Sequence, residues 1–102
     1  MKLYTIYVGL NDQHTRRQER PTAEAVSIIE KILFERVGGA TISSARGLYA
    51  HADGGRVLEA TIRAEIFDAD FPSVHTAAAE IRDKLNQESV ALTVQEIESY
   101  FI

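Results

Sequence analysis

The sequence contains no cysteine, no tryptophan and only two prolines in 102 residues. Without cysteine there is no disulfide, no thiolate nucleophile, no cysteine-ligated zinc and no iron–sulfur cluster. Long apolar runs are missing as well. The longest uncharged stretch near the N-terminus, Leu3 to Asn11, falls well short of the ~20 residues that a membrane-spanning helix needs, and it lacks a signal-peptide layout. A cytoplasmic protein with no membrane partner is expected. Positive charge is scarce: 11 basic against 15 acidic side chains leave a net charge of −4. That balance argues against nucleic acid, whose affinity rests on phosphate neutralisation. Catalytic signatures are absent too. No Gly-x-Ser-x-Gly elbow occurs. Gly38-Gly39 follows a helical pattern instead of preceding one, so it is no phosphate cradle. Lys2 stands where tautomerases of this size need a proline.

What is present is an ordinary globular composition. Hydrophobic residues make up 45% and charged residues 25%, enough for one folded domain over residues 1–102, near the usual size of roughly 100–150 residues. Lys2–Val8 is rich in aromatic and β-branched residues and reads as a strand. Asn11–Arg20 has no residue able to bury a face and reads as a loop. Pro21 and Thr22 open a helix, in which Val26, Ile29, Leu33 and Val37 recur at helical spacing. Gly38-Gly39 ends it.

Ala40–Ala50 alternates weakly and reads as an edge strand. His51–Gly55 is a hairpin turn, signalled by Asp53-Gly54. Arg56–Phe67 has the strictest alternation in the chain, with Leu58, Ala60, Ile62, Ala64 and Ile66 on one side. Glu59, Thr61, Arg63 and Glu65 fall on the other, so one face is buried and one is wetter. A second helix is expected from near Ser73, with Val74, Ala77, Ala78, Ile81 and Leu85 as its apolar stripe and Asn86 as its cap. Ser89–Ile97 is the last strand, and Tyr100-Phe101-Ile102 is an apolar tail. The order β-α-β-β-α-β predicts an α+β, ferredoxin-like fold: a four-stranded antiparallel sheet with both helices on one face.

Three pieces carry a family resemblance. They are Tyr7-Val8-Gly9-Leu10, the hairpin strands from Gly39-Ala40-Thr41-Ile42 to Gly54-Gly55-Arg56-Val57-Leu58-Glu59, and Gln87-Glu88-Ser89-Val90. Together they resemble a family of short bacterial proteins of unknown function with a Q-E-S-V motif before the last strand. The resemblance implies the same fold and carries no activity. The opening strand and Gly39-Ala40-Thr41 are also similar to PII-type signalling proteins, which implies an oligomer that binds nucleotides or anions between subunits. The turn at His51–Gly55 is too short for the long regulatory loop of that family.

Candidate binding residues follow from chemistry. Arg16, Arg17 and Arg20 share one loop with His14, and guanidinium forks suit phosphate or carboxylate. Ion pairs with the neighbouring acids explain the same composition. Tyr7 and Arg63 fall on the open sheet face. Glu88, beside the last strand, is either a buried acid or a solvated turn residue. Asp68, Asp70 and His75 match no dedicated metal loop, and Asp70 or Ser73 reads more simply as a helix cap. No metal and no cofactor are expected.

The expectation is a non-enzymatic, self-associating binding module of bacterial or phage type. It would form a homo-oligomer and take a small anionic ligand or a protein partner. Two alternatives stand beside it. One is a cofactor-free enzyme of the dimeric α/β-barrel kind using Tyr7, Tyr49, His75 or Arg63. The other is a PII-like anion or nucleotide sensor using Arg16, Arg17 and Arg20.

Overall fold

The computed structural model describes residues 1–50 and 52–102. The elements run β1 (Lys2–Gly9), α1 (Thr22–Val37), β2 (Thr41–Ala50), β3 (Arg56–Phe67), α2 (Phe71–Lys84) and β4 (Ala91–Glu96). The strands form one sheet in the order β2-β3-β1-β4, antiparallel throughout. This is the expected βαββαβ, ferredoxin-like architecture.

Period-two alternation places Tyr4, Ile6 and Val8 of β1 beside Ile66, Ala64 and Ile62 of β3, their direct partners. All six are buried in the core against Ile29 and Leu33 of α1 and Val74 and Ile81 of α2. Burying each of the large side chains contributes about 1.5–3 kcal/mol, which fixes the register: a slip by one residue would expose the whole row. The odd-numbered residues of the same strands form the opposite face, which no helix covers.

The element ends have local causes. Gly38, at φ 83°, closes α1 in the left-handed conformation, and its N–H donates to the Leu33 carbonyl. The second helix starts at Phe71, earlier than the expected Ser73. The Asp70 carboxylate accepts both the N–H and the hydroxyl of Ser73, each at 2.9 Å. Pro72 sits in the first turn, where its missing N–H costs nothing. Asn86 follows that helix at φ 50°, as its cap role requires.

The last strand is shorter than the expected Ser89–Ile97: it pairs with β1 only from Ala91↔Tyr7 to Glu96↔Lys2. β2 begins at Thr41, opposite Glu65, rather than at Ala40. In the hairpin turn the Gly55 N–H donates to the Asp53 carboxylate at 2.8 Å. His51 of that turn lies outside the described residues. Tyr100, Phe101 and Ile102 are exposed, and the Phe101 ring stands edge-on to Phe67 at 6.2 Å. No helix among the described residues is long and apolar enough to cross a membrane.

Candidate functional site

On the face the helices leave open, β2 and β3 extend past the end of β1. The Asn11–Arg20 loop and the Gln87–Ser89 turn rise beside them. Between these parts lies an open groove of about 630 Å³, within the range of roughly 300–1,000 Å³ typical of small-ligand sites. Its walls include Tyr7, Arg16, Arg46, Tyr49, Glu59 and Glu88.

Glu59 lies at its centre. Two glycines make room for it: a Cβ on Gly9 would collide with the Glu59 carboxylate, and a Cβ on Gly47 would crowd its Cγ and the Thr61 hydroxyl. The backbone N–H of Asn11 donates to Glu59 Oε2 at 3.0 Å. The Tyr49 hydroxyl, on the same sheet face, hydrogen-bonds the same carboxylate. Partial burial and then the charge of Glu59 push the Tyr49 phenol above its ordinary value of 10, Glu88 adding to the rise and Arg16 opposing it. Tyr49 therefore stays a hydrogen-bond donor through neutral pH.

The Gln87–Ser89 turn is tied to this centre. The buried Gln87 amide donates to the Asn11 carbonyl at 2.8 Å and to the Leu85 carbonyl at 3.2 Å. One residue, Asn11, thus holds Glu59 with its N–H and Gln87 with its C=O, which sets Glu88 at the groove wall. The Asn11–Arg20 loop is built around Asp12. Its carboxylate accepts the His14 and Thr15 N–H groups and the Asn86 amide at 2.8, 3.1 and 2.7 Å. The Asn86 bond first, then the two backbone bonds, hold Asp12 below its ordinary 3.8.

Of the six candidate binding residues, three come together in the groove and three do not. Tyr7, Arg16 and Glu88 meet in the groove. Arg63 lies farther along the same face, against Ser43 at 3.3 Å and Glu65 at 3.7 Å. Arg17 pairs with Glu19, and Arg20 with Glu24. Arg20 lines a separate cleft with Glu19, Glu24 and Leu10. The three arginines do not share one pocket. Glu59, Gly9 and Gly47 carry no sequence signal as a site, because they meet only across paired strands.

No family model matches the chain, and no curated protein matches it. Solved structures do. A phage SAM lyase in complex with S-methyl-5'-thioadenosine aligns with a TM-score of 0.73 at 24% identity, over 93% of this chain and 80% of that one. The divalent ion tolerance protein CutA1 of Ehrlichia chaffeensis aligns with a TM-score of 0.57 at 16% identity, over 97% and 84%. A DUF3240 family protein of Shewanella baltica aligns with a TM-score of 0.58 at 12% identity, over 99% and 94%. These likenesses establish the fold, and they agree with the resemblance to small ferredoxin-like proteins of unknown function.

Proposed function

We propose that the groove binds a sulfonium nucleoside of the S-adenosylmethionine type and cleaves its carbon–sulfur bond as a lyase. The observation that carries this reading is the Glu59 carboxylate, held in an open, nucleoside-sized groove by Asn11 and Tyr49 beside Glu88. Neither acid pairs with a cation among the described residues. Two such carboxylates attract a sulfonium or ammonium charge and repel phosphate, so the reading favours a cationic nucleoside over an anionic nucleotide. Tyr7 and Tyr49 offer ring faces for a purine.

In such a cleavage an oxygen of the tail's own carboxylate attacks the γ-carbon and closes a five-membered lactone. The electron pair of the breaking carbon–sulfur bond leaves on sulfur and quenches its positive charge, so no proton transfer or co-reactant is needed. The departing thioether is S-methyl-5'-thioadenosine, the molecule held by the phage SAM lyase of similar fold. The reading includes self-association, since the groove is open on the uncovered sheet face and β2 leaves one edge unpaired.

The test is incubation with S-adenosylmethionine and detection of S-methyl-5'-thioadenosine by mass spectrometry. Formation well above the protein-free rate is expected, with kcat/KM lower by about tenfold or more in Glu59→Gln, whose neutral amide no longer attracts the sulfonium. Binding of the nucleoside without turnover would replace the lyase with a non-catalytic binding module. Neither binding nor turnover would remove the reading.

A further inference from the structure

We propose that Arg16 reads the carboxylate of an amino-acid tail on the ligand and so makes the groove selective for nucleosides that carry such a tail. The inference rests on the reading of the groove as a nucleoside site and deepens it.

Three observations converge on Arg16. First, it is the arginine of its loop that has no side-chain partner. The guanidinium groups of Arg17 and Arg20 are taken up by Glu19 and Glu24 at 3.7 and 2.9 Å, while that of Arg16 makes no hydrogen bond or ion pair among the described residues. It stays unpaired although it lines the same groove as Glu59 and Glu88. Second, the backbone is bent to place it there. Arg16 adopts φ 59°, a left-handed conformation that costs a side-chain-bearing residue roughly 1–2 kcal/mol. Third, the loop is fixed rather than loose. The Arg16 N–H donates to the Asp12 carbonyl and the Asp12 N–H to the Arg17 carbonyl, each at 2.8 Å, and the Asp12 carboxylate ties the turn to Asn86.

A guanidinium fork on a preset loop matches a carboxylate better than a flexible ammonium does. The charge pattern of the groove then mirrors a nucleoside with an α-amino-acid tail. The acids Glu59 and Glu88 face its positive charges, and Arg16 faces its one negative charge. Arg16 also acts on the Tyr49 phenol in the sense of a nearby cation, opposing the rise that Glu59 causes.

Two thioethers that the protein has no sulfonium to cleave in separate the parts of this argument. S-adenosylhomocysteine carries the amino-acid tail, and S-methyl-5'-thioadenosine does not. Calorimetric affinities of both are measured for the wild-type chain, Arg16→Ala, Arg16→Lys and the remote charge control Lys31→Ala on α1. In Arg16→Ala the affinity for S-adenosylhomocysteine should fall about tenfold or more, with S-methyl-5'-thioadenosine unchanged within about twofold. Arg16→Lys should recover part of the loss, and Lys31→Ala should bind like wild type. Equal losses for both ligands, or no loss for either, would overturn the role of Arg16 and leave the nucleoside site standing. A wild-type chain that binds neither ligand would sink the nucleoside site itself, and this role with it.

Discussion

The carboxylate of Glu59 occupies the space that a side chain on Gly9 would fill. The two residues sit on adjacent strands, and the glycine leaves a notch in the sheet surface into which the acid folds. Gly9 is at an ordinary strand position with no need of left-handed backbone, so its missing side chain is a matter of room.

Gly9→Ala should therefore separate stability from binding. The atoms it would strike are the far end of a flexible side chain, which can swing away, and alanine is favoured over glycine in a strand by roughly 0.5–1 kcal/mol. The unfolding free energy should change by no more than about 1 kcal/mol. Affinity for a positively charged nucleoside should fall about tenfold or more, because Glu59 leaves the Asn11 N–H that fixes it. In a Glu59→Ala background the same substitution should have no effect on binding. Chemical denaturation and calorimetry on the four variants of this cycle check both halves.

Gln87 makes the opposite case, a buried polar group whose partners are both carbonyl oxygens. Gln87→Glu replaces the donating amide with an acceptor. At pH 7 the carboxylate would face two acceptors, and the variant should be less stable than wild type by about 1–3 kcal/mol. The folded state favours the protonated acid, so its folded pKa lies above the ordinary Glu value of about 4.3. The penalty is then full at high pH and shrinks as the pH falls through that raised value. Urea midpoints at pH 7 and pH 5 should converge toward wild type at the lower pH. A pH-independent difference would contradict the donor role of Gln87.

These two contacts also mark the border of what the sequence disclosed. The strict alternation of Leu58 to Ile66 and the stripe from Val26 to Val37 were enough to give element order, sheet faces and most of the core, because those patterns are local and repeat. The start of the second helix is hidden in sequence, because Phe71-Pro72 reads as a break and only the Asp70 cap on Ser73 begins the helix there. The last strand reads as Ser89–Ile97 in sequence, whereas its pairing with β1 spans only Ala91–Glu96, a limit that local composition does not mark. Tyr7, Arg16 and Glu88 stand out by residue type alone. The separation of Arg16 from Arg17 and Arg20 needed the ion pairs. The Glu59 notch needed strand register, which brings Gly9, Gly47 and Glu59 together across two pairings that no spacing along the chain displays.

Asp12 links pH to the same loop. Its folded pKa is depressed below 3.8 by the Asn86, His14 and Thr15 donors. A depressed carboxylate contributes its stabilisation in full above the unfolded value and loses it as the pH falls through the folded one. The loop should therefore keep its form down to about pH 4 and loosen below it. Backbone amide resonances of His14 and Thr15 should titrate with a midpoint under 3.8, the ordinary value. In Asp12→Asn those resonances should lose that midpoint. A midpoint at or above 3.8 in the wild-type chain would show that these bonds do not hold the loop in solution.

Leu48 and Leu58 are direct partners across β2 and β3, on the side of the sheet that the helices cover elsewhere, yet they are 75% and 58% exposed. The reason is length. β2 and β3 run on after β1 and β4 have ended, so the apolar alternation continues where no helix lies above it. Two opposed leucines left in water are better explained by a surface they meet than by the core they miss. With the unpaired edge of β2 alongside, a second copy of the chain is the expected cover. Light scattering after size exclusion should give an oligomer for the wild-type chain at about 100 µM, where weak association is favoured by mass action. Leu48→Asp should shift it to monomer. Because Leu48 is already in water in the single chain, the unfolding free energy of its monomer should match that of the wild-type monomer within about 0.5 kcal/mol. A wild-type monomer at that concentration would remove self-association. An oligomer that survives Leu48→Asp would move the interface off the hairpin and onto the sheet face around the groove.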